Sequence, residues 1–171
     1  MRLLKILFML IVLASFTSIA SAGKIKEELT LYKDPLYEFV SPRDRGGSCE
    51  GLFFLKGNKN NPDLRSNFQY FHCEGRYTLT LDGPKDKLVT LFGGFNYGKE
   101  DGFLILRKAD NKKVWILDLM DFPSGRWISV PPQEGPDGEY GAYEIFYSPS
   151  PIFDQKVSSL KWGQWWQGDR P

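Results

Sequence analysis

Trp162, Trp165 and Trp166, with Gln164 among them, are the residues whose types and spacing best suit recognition chemistry in this sequence. Flat indoles stack on sugar rings, and a side-chain amide both donates to and accepts from hydroxyl groups. The competing structural role is that the same tryptophans fasten the C-terminal tail over the core, since a chain end needs something to dock it. Catalysis has a thinner basis. His72 is the single histidine, and neither a G-x-S-x-G elbow nor an H-E-x-x-H pair is present. Carboxylate chemistry would rest on Asp118, Asp121 and Glu144, because a glycoside hydrolase needs only two acids at the right separation. No catalytic residue is assigned, and a non-enzyme is the expectation.

Two oxygen-rich stretches bear on metal binding. Glu134, Asp137 and Glu139 lack the spacing of an EF-hand and read as a solvated turn. In Asp154-Gln155-Lys156-Val157-Ser158-Ser159 the carboxylate and two hydroxyls precede a short strand. This pattern resembles the calcium signature of the beta-gamma crystallin family: two consecutive Asn or Asp residues, two free positions, then Ser or Thr and Ser. Asp154, Ser158 and Ser159 match, and Gln155 departs from it. Tyr140-Gly141 with Tyr143 to Tyr147, and Phe95, Tyr97 and Gly98 after Leu88 to Phe92, are similar to the aromatic-glycine bends and strands of that family. The resemblance covers parts of residues 88–162 and implies Greek-key topology. It names calcium as the one candidate cofactor, with affinity lowered or abolished by the mismatch.

The start of the chain bounds where such chemistry would operate. Arg2 and Lys5 precede an apolar run from Ile6 to Ala14, and Ala20-Ser21-Ala22 has the form of a signal-peptidase site. Residues 1–22 are therefore expected to be a signal peptide and 23–171 a single β-rich domain, with two subdomains, about 23–87 and 88–171, as the alternative. Removal of the signal leaves 20 basic and 21 acidic residues. Near-neutrality without a basic stripe argues against nucleic acid, and no later run is long enough for a membrane helix. In a secreted or periplasmic setting the two cysteines, Cys49 and Cys73, are expected to form a disulfide. A bridge of that span contributes about 3–4 kcal/mol in the chain-entropy treatment.

The elements that position these groups read as strands. Short apolar or alternating runs occupy Leu29 to Tyr32, Gly51 to Lys56, Asn67 to Cys73, Arg76 to Asp82, Leu88 to Phe92, Arg126 to Val130, Tyr140 to Tyr147 and Lys156 to Trp162. Phe103 to Leu119 holds two dense apolar runs about Ala109-Asp110-Asn111-Lys112 and predicts a buried hairpin. In that hairpin Arg107, Lys108, Lys112 and Lys113 guard the turn and Trp115 belongs to the core. Sustained helical periodicity is missing. The fold class is all-β, an antiparallel sandwich of Greek-key type with one disulfide and little or no helix after the signal.

The function expected from these readings is that of an exported, non-catalytic binding protein for a glycan, a cell-envelope component or a calcium-stabilised partner. A secreted or periplasmic enzyme inhibitor or immunity-type protein and a carboxylate-dependent hydrolase are the alternatives.

Overall fold

A computed structural model describes residues 27–35, 51–56, 59–67, 75–135 and 138–171. Residues 1–22, expected to be a signal peptide, and Cys49, His72 and Cys73 lie outside the described residues, as does most of the strand expected from Asn67 to Cys73.

The described residues are all-β. Eleven strands occur in the order β1 (Glu28–Pro35), β2 (Gly51–Lys56), β3 (Gly75–Asp82), β4 (Leu88–Phe92), β5 (Phe103–Lys108), β6 (Val114–Ile116), β7 (Trp127–Val130), β8 (Gln133–Gly135), β9 (Gly138–Tyr140), β10 (Tyr143–Ser148) and β11 (Ser159–Trp162). The only helical elements among them are three short 3-10 turns. One sheet has the order β2-β1-β3-β6, a second has β11-β4-β5-β10-β7, and β8 and β9 form a separate hairpin. All strand pairs are antiparallel.

Period-two alternation decides what each sheet buries. Leu29, Leu31, Tyr77, Leu79, Leu81, Val114 and Ile116 from the first sheet join Val89, Leu91, Leu104, Leu106, Ile145 and Leu160 from the second in one cluster. The two sheets therefore enclose a shared core as a sandwich. The intervening residues of the five-stranded sheet are also apolar: Leu88, Phe92, Phe103, Ile105 and Phe146 make a second cluster on its outer face. Such a face needs a cover, and the C-terminal tail provides it through Trp165 and Trp166.

The predicted hairpin from Phe103 to Leu119 does not form. Both edges of β5 are occupied, by β4 and β10, so β6 has nowhere to pair beside it and joins β3 in the opposite sheet. The intervening residues form an arch between layers. Asp110 fastens it, its carboxylate accepting from the Lys112 N–H at 2.8 Å and from the Ala142 N–H at 2.7 Å.

Lys108 is fully buried instead of guarding the turn. Its position on β5 faces inward, and its ammonium donates to the carbonyls of Lys112 and of Leu81, tying the arch to the other sheet. Burial pushes the Lys108 amine below its ordinary value, while Asp110 and Asp82 pull it back up.

Trp115 likewise departs from expectation. Between buried Val114 and Ile116 it points to the opposite face, where it is half-buried against Tyr140 at 5.6 Å between ring centroids. The stretch expected as a solvated loop after Pro132 contains the β8–β9 hairpin, and Gly141-Ala142 separate β9 from β10.

Candidate functional site

The tail tryptophans divide by role. Trp162 sits at the end of β11 on its inward face, 8% exposed and part of the main core. Gly163 then takes φ +77°, a left-handed conformation that favours glycine, and the chain continues across the outer face of the five-stranded sheet. Trp165 packs there on Phe92 and Phe103, at 5.6 and 5.8 Å between centroids. Its indole Nε1 donates to Oγ1 of the buried Thr90 at 2.8 Å, and Lys99 lies over its ring. Both tryptophans pack on the apolar faces of the five-stranded sheet.

Trp166 and Gln164 are placed differently. Together with Arg107, Trp127, Glu144, Gly168 and Asp169 they line a groove of ≈ 410 Å³. The strands supply its floor. Arg107 on β5 and Glu144 on β10 are register partners, and both point outward at the position where the sheet's apolar outer cluster gives way to polar residues. Arg107 Nη1 donates to Glu144 Oε2 at 3.0 Å, and its guanidinium lies 4.8 Å from the centre of the Trp127 ring. The carboxylate and the indole hold the guanidinium plane from two directions.

The tail supplies the wall. Trp166 meets Trp127 at 6.0 Å between centroids with an interplanar angle of 41°. Gln164 Nε2 donates to the Trp166 carbonyl at 3.2 Å, and Trp127 Nε1 donates to the Asp169 carbonyl at 3.2 Å. Gly168, at φ +73°, makes the turn that brings that carbonyl round. The groove thus presents two indole surfaces, an amide and a paired guanidinium and carboxylate, all half-buried or exposed. That donor set can stack against a ring and bond its hydroxyls without burying an unpaired charge.

Sequence reasoning found Trp166 and Gln164 in this groove and considered Glu144 in another role. It missed Trp127, Arg107 and Asp169. The signal that joins Arg107 to Glu144 is strand register, which neither segment carries alone.

Asp154 and Ser159 are engaged with other groups. Asp154 lies in the 3-10 turn Phe153–Gln155 and is buried, its Oδ2 3.2 Å from Arg76 Nε. Burial pushes its carboxyl up, against the Arg76 guanidinium that pulls it down. The Ser159 hydroxyl donates to the Gly94 carbonyl at 2.7 Å and accepts from the Tyr97 N–H at 3.1 Å, fixing the glycine-rich bend. Ser158 is fully buried, with no hydrogen-bond partner for its hydroxyl among the described residues. A calcium ion bound by Asp154 and the serines would compete with Arg76, Gly94 and Tyr97. Among the described residues no group of three or more His, Cys, Asp or Glu side chains is placed to hold a metal.

The three carboxylates considered for hydrolysis are split. Asp118 and Asp121 line a different groove, between β6 and β7, whereas Glu144 is the ion-pair partner of Arg107. No described helix is long and apolar enough to cross a membrane. Comparison with protein-family models, curated proteins and solved structures returned no match.

Proposed function

We propose that this chain is an exported, non-catalytic binding protein whose groove beside Trp127 and Trp166 recognises a neutral glycan of a cell envelope or extracellular matrix. The observation that carries this reading is the arrangement of the two indoles around Gln164 and the Arg107–Glu144 pair in one groove. Glycan ring faces are apolar and their rims are hydroxyls, which is the complement of indole faces bordered by an amide, a guanidinium and carboxylates. Arg107 stands against Glu144 and Asp169 at the groove, so an anionic sugar would meet repulsion there. The groove volume of ≈ 410 Å³ suits one or two sugar residues.

The reading also takes the fold as Greek-key type. The order β11-β4-β5-β10 in the five-stranded sheet has the 4-1-2-3 form of that motif, with β6 to β9 inserted before its third strand. Export follows from the signal-like start of the chain.

The test is a glycan array probed with the wild-type chain and with Trp166→Ala. Saturable binding to neutral glycans that the variant loses supports the assignment. Binding confined to sulfated or uronic-acid glycans, or undiminished in the variant, removes it.

A further inference from the structure

A second groove, independent of the first, opens at the side of the sandwich. It lies between β6, the last strand of the four-stranded sheet, and β7, the last strand of the five-stranded sheet. Its volume is ≈ 470 Å³ and its walls are largely apolar, with Ile128 and Val130 from alternate positions of β7 and Trp115 and Phe122 among the lining residues. Leu117 at its rim is 62% exposed. Asp118 and Asp121 stand in the same groove, and among the described residues neither forms an ion pair.

Among the described residues the strands around this opening have one unpaired side each. β7 pairs with β10 alone and β6 with β3 alone among the described residues. A free strand edge is a row of backbone donors and acceptors, and natural proteins usually block it with charge, bulges or a covering segment. Here β7 carries Trp-Ile-Ser-Val with no charged residue inside the strand.

We propose that this groove docks an extended peptide segment of a partner protein, added antiparallel along β7, with alternate apolar side chains in the groove and a basic residue facing Asp118 and Asp121. The main-chain ladder supplies affinity and the pockets select side chains, as in other cases of strand addition. The uncompensated carboxylates select the sign of the partner's charge. A peptide satisfies the open edge, the apolar groove and the acidic rim together.

The probe is the peptide TITVTK-NH2, labelled with fluorescein at its N-terminus and titrated into the full chain by fluorescence anisotropy; its isoleucine, valine and lysine share one face of the extended strand. Saturable binding below millimolar concentration is expected. Replacing the lysine by glutamate should weaken it tenfold or more, and proline at the fourth position should abolish it by removing a ladder donor. Asp118→Asn with Asp121→Asn should erase the preference for lysine, while Asn at 118 can still accept from the Met120 N–H that Asp118 Oδ1 binds at 2.8 Å. Hydrogen exchange on the unmodified chain gives a readout free of folding effects, with slowed amides expected in Trp127–Val130 when the peptide is present. Equal binding of the proline-containing peptide, or no saturation by millimolar concentration, overturns the proposal. Concentration-dependent dimerisation that protects the same amides without peptide would assign the edge to a second copy of the chain instead.

Discussion

Trp165→Ala separates a tail that docks the fold from a tail that waits for ligand. The substitution removes an indole that touches Phe92 and Phe103 and deletes the donor to the Thr90 hydroxyl at 2.8 Å. Truncating a buried aromatic costs about 3–5 kcal/mol. Trp165 is half-buried, so the packing loss belongs below that range, at roughly 2 kcal/mol. Thr90 is fully buried, and leaving its oxygen without a donor adds about 1–2 kcal/mol. The sum, about 3–4 kcal/mol, corresponds to a fall in melting temperature of roughly 6–16 °C for a chain of this size. Trp165→Phe keeps a ring on the sheet and loses the hydrogen bond, so its fall should be limited to the about 1–2 kcal/mol of that bond. Thermal unfolding followed by circular dichroism reads both, and a hydrophobic dye should bind the uncovered face only in the alanine variant. A Trp165→Ala protein that melts with wild type would refute the docking role, as would one that loses glycan binding at unchanged stability.

Two further outcomes follow from polar groups that fasten the fold. Asp110→Ala leaves the Lys112 and Ala142 N–H groups without their acceptor and should destabilise the chain by about 1–2 kcal/mol in urea unfolding, with Asp110→Asn losing less. A change under about 0.5 kcal/mol would show that the arch does not depend on that carboxylate. For Asp154, burial raises the folded carboxyl above its unfolded value, so its contribution to stability is full below the unfolded value and is lost as pH rises through the folded one. Asp154→Asn should therefore melt no lower than wild type at neutral pH, and wild type should gain on it as pH falls through the carboxylate range. A markedly less stable variant at neutral pH would mean that the Arg76 pairing outweighs burial. Millimolar calcium that raises the melting point of wild type and not of Asp154→Asn would bring the crystallin-like site back into consideration.

Local pattern made much of the fold legible. Gly51 to Lys56 and Leu88 to Phe92 coincide with β2 and β4, and the alternation of Tyr77, Leu79 and Leu81 marks the inward face of β3. The continuous apolar run of β5 is explained by two covered faces, the core on one and the tail on the other. What stayed hidden is non-local. No residue in Phe103 to Leu119 says that both sides of β5 are already taken, so adjacency in the chain suggested a hairpin where the layers require an arch. Lys108 reads as polar surface, yet its place at the end of an inward-facing row carries its ammonium to two carbonyls. The β8–β9 hairpin escaped notice because, of the residues placed in it, Tyr140 alone is buried. In the candidate site the same division holds. Trp166 and Gln164 stand out by composition, whereas Arg107, Glu144 and Trp127 become neighbours only through the register of β5, β10 and β7.

Glycan recognition beside Trp166 is tested most directly by calorimetric titration of a neutral oligosaccharide into wild type and Trp166→Ala, with the melting temperature of each recorded alongside. Stacking on this indole predicts at least tenfold weaker binding by the variant, about 1.4 kcal/mol, at a temperature where both proteins are folded, since Trp166 also packs on the outer apolar cluster and its loss lowers the melting point. Equal affinity in the two proteins, or loss of binding that tracks unfolding alone, would contradict it.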